Sequence, residues 1–123
     1  MLVCMNTKTG TLRAIQDNGI FSINLLHSAQ QDLAERFSSR DPALRGDARF
    51  EPPPWRDDLL GAPVLNSASQ SFICRLANCF EAGTHMIVTG SVLNISSETK
   101  APALLYENGQ FGAFHSGPLA RSA

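Results

Sequence analysis

Apolar positions change their spacing several times along the chain, and each change marks an element. LVCM at 2–5 is a short apolar run, followed by the polar turn NTKTGT at 6–11. From Thr11 to Asn18, TLRAIQDN, the spacing becomes helical, with Leu12 and Ile15 on one side and Gly19 placed as a left-handed C-terminal cap. FSINLL at 21–26 alternates as a strand, with Phe21, Ile23 and Leu25 on one face. Ser28 with Gln31 three residues later is a capping-box pattern. It precedes a predicted helix over 29–39 whose Ala29, Leu33 and Phe37 share a face.

The pattern then breaks. Residues 40–63 hold five of the seven prolines. Proline fixes φ and removes a donor, so a long irregular loop is predicted, with one helical turn around Pro42 and with Phe50 and Trp55 pinning it to the body. Beyond Pro63 the signal is β. SFICRLANCF at 71–80 and HMIVTGSVLNIS at 85–96 read as long strands, separated by a turn at Glu81 and Gly83. Neither alternates cleanly, as expected of strands covered on both faces. ALLYENGQFGAF at 103–114 carries Asn108-Gly109 between two apolar runs, the signature of a type I′ hairpin. The end, SGPLARSA, is predicted to fray. The order β-α-β-α-loop-β-β-β-β departs from steady βα alternation and predicts an antiparallel barrel with helices inserted between its early strands.

Composition narrows the class. The chain has 123 residues, 43% hydrophobic and 17% charged, which suits one domain with a packed core. Net charge is −1 with no basic stripe, so no nucleic-acid partner is expected. No apolar stretch approaches the roughly 20 residues of a membrane span, and MLVCMNTKTG lacks the charged and apolar regions of a signal peptide. The three cysteines, Cys4, Cys74 and Cys79, form no CxxC, which fits a reducing compartment and a cytoplasmic location. Cys74 and Cys79 lie five apart on one strand and should point to opposite faces, so no metal site is expected.

Two stretches could carry chemistry. NTKTGT follows a strand and opens a helix, where unpaired backbone N–H groups and the positive end of the helix dipole meet Lys8, the hydroxyls of Thr7, Thr9 and Thr11, and the open backbone of Gly10. That set suits a phosphate. It equally suits an ordinary N-cap, with Thr9 or Thr11 accepting from the second or third helical N–H. His85 stands after Gly83-Thr84 at the mouth of a strand, either satisfied by one structural hydrogen bond or leaning into a cleft. No catalytic nucleophile emerges. Ser28, Ser67 and Ser116 lack a GxSxG context, and the Asp57-Asp58 pair reads as solvated charge.

In order, LVCMNTKTGT, GIFSINLL, SAQQDLAERFSS, RFEPPPW, GAPVLNSASQSFICRL, GTHMIVTGSV and LLYENGQFGAF resemble the flavin reductase-like, FMN-binding split-barrel family over nearly all of 1–114. The likeness is greatest to the small NAD(P)H:flavin oxidoreductases that feed two-component monooxygenases. The resemblance implies a mainly β, Greek-key-like antiparallel split barrel at 1–114 and a flexible tail at 115–123. It implies that Asn6, Lys8, Thr9 and Thr11 cradle the flavin phosphate and ribityl chain, that His85 lies on the nicotinamide side, and that Phe111 is near the cofactor. Asn24 matches a family asparagine that a structural hydrogen bond explains as well.

FMN or FAD would be the cofactor and NADH or NADPH the co-substrate, with hydride transfer to flavin N5 and no protein nucleophile. A homodimer with cofactor sites near the subunit interface and a monooxygenase partner are also implied. Two departures stand out. Thr84 occupies a position where many members carry aspartate. Members also carry further strands, with a Thr/Ser-rich flavin-holding stretch, before the segment matching LVCMN, so the barrel is expected to be N-terminally truncated with open edges. The alternative is a truncated, non-catalytic flavin-binding split barrel.

Overall fold

In the computed structural model, residues 1–51 and 54–119 are described. The chain runs β1 (Leu2–Asn6), α1 (Gly10–Asn18), β2 (Ile20–Leu25), α2 (Gln31–Ser38), two 3-10 turns (Pro42–Leu44 and Gly46–Phe50), β3 (Trp55–Asp57), β4 (Pro63–Leu65), β5 (Gln70–Ala82), β6 (His85–Ser97), β7 (Leu104–Glu107) and β8 (Gln110–Ala113). The main sheet is four-stranded in the order β1-β6-β5-β2, every neighbour antiparallel. β3-β4 and β7-β8 form two-stranded ribbons. This is the mainly β, helix-inserted architecture that the apolar spacing predicts.

The β5–β6 hairpin is the spine. Each strand has 13 residues, and they turn through Gly83, whose φ of 61° suits a residue without Cβ. Two register shifts bend it. Between Ile73 and Cys74 the partner jumps from Asn94 to Val92, leaving Leu93 extra on β6. Between Leu76 and Asn78 it moves only from Gly90 to Thr89, leaving Ala77 extra on β5. A bulge of this kind bends its strand and sharpens the twist, which is what a curved sheet needs.

The second bulge overturns one expectation. Cys74 and Cys79 do not face opposite ways. The extra residue restores their parity, and both belong to the apolar cluster around Leu12, Ile15, Phe21 and Val88. Among the described residues no group of three or more His, Cys, Asp or Glu side chains is placed to hold a metal.

That cluster sits under α1, which crosses from one edge strand to the other. Leu12 and Ile15 bury their side chains against Phe21, Cys74 and Val88, with Val3, Met5 and Met86 packed around them. Gly19 ends the helix in the left-handed conformation, its N–H donating to the Ile15 carbonyl at 2.8 Å. On the opposite face Ala62, Val64 and Ile73 form a second cluster. Asn24 ties β2 to β4 and β5. Its Oδ1 accepts from Leu65 N at 3.0 Å and Ser71 Oγ at 2.8 Å, while Ser22 Oγ donates to the Pro63 carbonyl. The structural account of Asn24 is therefore sufficient.

Other boundaries shift for local reasons. α2 starts at Gln31 rather than 29, and its N-cap side chain makes no capping bond. Gln30, not Gln31, reaches back, its Oε1 accepting from His27 N at 3.0 Å and its Nε2 donating to Ser67 Oγ at 2.9 Å, so Ser28–Gln31 forms no capping box. The stretch expected as loop contains β3 and leads into β4, each three residues long and too short to show a period. Phe37, Phe50 and Trp55 anchor it as a trio with ring centroids 5.0–5.5 Å apart. β5 continues through Glu81 to Ala82, so the turn is tighter than the sequence suggested. The β7–β8 hairpin turns on Asn108 and Gly109, both at positive φ, as type I′ requires. Residues 115–119 carry no regular structure, and 120–123 of the expected tail, like Pro52 and Pro53 of the proline run, lie outside the described residues.

Gly90 on β6 shows how closely the sheet packs. A Cβ there would lie 2.6 Å from Phe21 Cζ and 3.1 Å from Cys74 Cβ. Phe21 is only 5% exposed and has nowhere to retreat. Gly90→Ala is expected to cost about 1–3 kcal/mol by overpacking, read as a lower urea midpoint with an unchanged slope.

Candidate functional site

β1 ends at Asn6, directly opposite His85 at the start of β6. The chain then turns, and Thr7 binds the facing turn twice. Its N–H donates to the Thr84 carbonyl at 3.0 Å and its hydroxyl to the same oxygen at 3.2 Å. The corner at 6–11 and the Gly83–His85 turn are therefore one continuous surface.

Within the corner the side chains divide their work. Asn6 Oδ1 accepts from Lys8 N at 2.9 Å. Thr9 is the N-cap of α1. Its hydroxyl accepts from Leu12 N, the third helical N–H, at 3.3 Å and donates to the Asn6 carbonyl at 3.0 Å. Asn6, Thr7 and Thr9 thus build the turn. Lys8, Gly10 and Thr11 line a groove of about 1420 Å³ between α1, β2, α2 and the 39–50 segment. Nothing lies within 4 Å of where a Gly10 Cβ would be, so the backbone is open to close approach. Thr9 is the cap, as the N-cap reading of NTKTGT expects, while Lys8 and Thr11 line the open side at the positive end of the helix dipole.

His85 is exposed, with Nδ1 2.9 Å from Thr84 Oγ1. It stands across the ladder from Asn6 and is not among the groove's lining residues. Phe111 is elsewhere. It packs on Tyr106 at a centroid distance of 4.9 Å, in a hairpin tied to the far end of β2 by Leu104 N donating to the Leu26 carbonyl. Leu25 pairs with Gln70 and His85 with Ala82, so the length of β5 separates Phe111 from the corner. Within one chain, Asn6, Lys8, Thr9 and Thr11 form the corner, His85 faces Asn6 across the ladder outside the groove, and Phe111 does not join them.

The groove also collects residues that the sequence reading passed over. Arg40, Arg45 and Arg49 line it, with Asp47, from the segment expected as a long irregular loop. The available signal was three arginines within ten residues, next to an aromatic that packs inward. Burial pushes the Cys74 thiol up, against a smaller opposing pull from the chain's amino terminus, so it stays protonated inside the core.

The curved antiparallel sheet with a helix threaded across its core is the flavin reductase class of split barrel. Solved members superpose closely. A nitrilotriacetate monooxygenase component B homologue from Mycobacterium thermoresistibile matches with a TM-score of 0.84 and 28% identity, over 98% of this chain and 68% of that one. BorF, the flavin reductase component of a bacterial two-component tryptophan halogenase, matches with a TM-score of 0.80 and 26% identity, over 94% of this chain and 72% of its own. The chain belongs to the flavin reductase-like domain family, whose model matches residues 1–115. Among curated relatives, the FMN reductase (NADH) RutF of Methylorubrum extorquens is 31% identical across all of this chain and 58% of its own length. The chain spans 58–60% of the curated relatives it matches first.

The division of labour in the corner has a measurable consequence. Thr9→Ala removes the cap and is expected to lower stability by about 1 kcal/mol. Lys8→Ala removes no internal side-chain bond and should leave the urea midpoint unchanged within about 0.5 kcal/mol.

Proposed function

We propose that this chain works in NADH-dependent flavin reduction, with FMN as acceptor, as one 1–114 domain followed by a tail. The observation that carries this reading is the junction of the Lys8 corner with the His85 turn through Thr7 and Thr84. The Lys8 ammonium, the Thr11 hydroxyl and the first N–H groups of α1 suit a phosphate, with Asn6 and Thr9 holding the turn in shape. His85, the ladder partner of Asn6, orients the dinucleotide and balances its charge. A bound flavin supplies the hydride-accepting ring and the nicotinamide supplies the hydride. The protein's part is positioning and electrostatics. FMN and NADH are the pair named for the Methylorubrum relative. NADPH is the other donor compatible with this site.

Reduced flavin is the product, and we take its consumer to be a partner oxygenase, by analogy with BorF, named as a component of a two-component system. The chain would pair as a homodimer. Leu2 and Cys4, with Thr89 and Ile87 and with Asn78 and Phe80, share one sheet face. Leu2 is 60% and Phe80 53% exposed, and no Asp, Glu, Lys or Arg interrupts the patch. Two copies of an uncharged surface can meet without repulsion. A cytoplasmic location agrees with three free cysteines, and no helix among the described residues is long and apolar enough to cross a membrane.

Purified protein titrated with FMN should quench flavin fluorescence and oxidise NADH, followed at 340 nm. Bound flavin without NADH oxidation would favour the non-catalytic binder, and no binding would defeat both readings. Lys8→Ala is expected to weaken FMN binding about tenfold, the value of one charge-assisted hydrogen bond. His85→Ala should raise the KM for NADH more than it weakens flavin affinity. Unchanged kinetics for both substrates would remove His85 from the site.

A further inference from the structure

We infer that Thr84 is a positioning residue for the proposed hydride transfer: its hydroxyl donates to His85 Nδ1, fixes the ring proton on Nε2, and so presents His85 as a hydrogen-bond donor. The inference rests on the reading above, in which His85 orients the dinucleotide. It starts from the two kinds of contact that one residue makes. The Thr84 carbonyl accepts from Thr7 N–H at 3.0 Å and from the Thr7 hydroxyl at 3.2 Å, while Thr84 Oγ1 lies 2.9 Å from His85 Nδ1. Thr84 therefore touches the corner through its backbone and the imidazole through its side chain.

The hydroxyl is held where it is needed. Thr84 follows Gly83 in the tight turn between Ala82 and His85, and the bonds from Thr7 tie that turn to the end of β1. A β-branched side chain has few χ1 choices, so a fixed backbone leaves Oγ1 little freedom. Residues 84 and 85 are chain neighbours, and their contact forms with little loss of loop entropy.

A neutral imidazole has one donor nitrogen and one acceptor nitrogen, and the bond made by one sets the role of the other. Thr84 Oγ1 makes no other hydrogen bond among the described residues, so its proton is free for Nδ1. Nδ1 then accepts, and Nε2 carries the hydrogen. The ladder partners of His85 are Asn6 on β1 and Ala82 on β5, neither of them ionisable. Glu81, one rung along β5 opposite Met86, and Lys8, in the corner, are the charged residues that flank this end of the hairpin. No carboxylate is paired with His85 across the ladder to draw the proton to Nδ1. An Nε2–H suits a carboxamide or phosphate oxygen of a reduced dinucleotide. The opposite tautomer would turn a lone pair towards the same oxygen and repel it.

The direct test is nitrogen-15 NMR of the histidine rings in the flavin-free chain at about pH 8, above the ordinary titration range of histidine. The His85 signals are those lost in His85→Ala. The wild-type ring is expected to show a protonated Nε2 and an unprotonated Nδ1. Thr84→Val keeps the side-chain shape and the backbone carbonyl but loses the hydroxyl. It should lower the ratio of the Nε2–H to the Nδ1–H tautomer about fivefold, the value of one neutral hydrogen bond. In turnover with FMN it should raise the KM for NADH by a similar factor, with kcat falling less. Thr84→Ser restores the hydroxyl and should recover both the ratio and the KM. A wild-type ring protonated on Nδ1, or a ratio unchanged in Thr84→Val, would overturn the inference. So would a shifted ratio with an unchanged KM while His85→Ala still raises it. If Thr84→Val shifts the ratio and neither variant moves the KM, the failure lies in the placing of His85 at the dinucleotide, and the role of Thr84 in hydride transfer falls with it.

Discussion

The long β5–β6 hairpin is the constraint on which the rest of the molecule depends. Both edge strands of the main sheet hang from it, β1 on β6 and β2 on β5. Its two bulges set the curvature that lets α1 cross one face while the β3–β4 ribbon covers part of the other. Its turn is only Gly83 and Thr84, so the β6 residue that emerges first, His85, is fixed opposite the last residue of β1. The site is thus assembled at the end of a hairpin rather than on a free loop. That is the rigid kind of support that positions a cofactor without strain at the binding residues themselves.

The corner was legible because its chemistry is local. A Thr-rich turn between an apolar run and a helical period must solve the problem of unpaired N–H groups, and Thr9 solves it within three residues. The Asn108-Gly109 hairpin was legible for the same reason, since positive φ at two successive residues selects those types. Asn24 was half legible. A structural hydrogen bond was expected of it, but its partners, Leu65 and Ser71, are some 40 to 50 residues away, and only the fold joins them.

The misreadings share one physical origin. Strand periodicity assumes an unbroken ladder. One inserted residue at Ala77 inverts every later assignment of face on β5, so Cys79 moves from the expected outside to the same core as Cys74. β3 and β4 escape detection because three residues cannot display a period and because prolines flank them. The arginines of the 39–50 segment drew no reading from the sequence, and only the fold brings them to the groove, where Arg49 bonds back to Leu44 and Ser39. Phe111 illustrates the converse. Family likeness placed it near the cofactor, while hairpin pairing to Leu26 keeps it at the far end of the sheet within one chain.

The sequence by itself determined most element types, the caps of α1, the Asn108-Gly109 turn, the apolar stripe of α1 and the composition of the 6–11 corner, because each depends on residues within a few positions of one another. Tertiary structure decided which faces of β5 are buried, that a groove opens between α1 and the arginine-bearing segment, and that the corner meets His85. Those outcomes depend on register and on one inserted residue, and both are set by the packing of strands distant in sequence, which local propensity cannot encode.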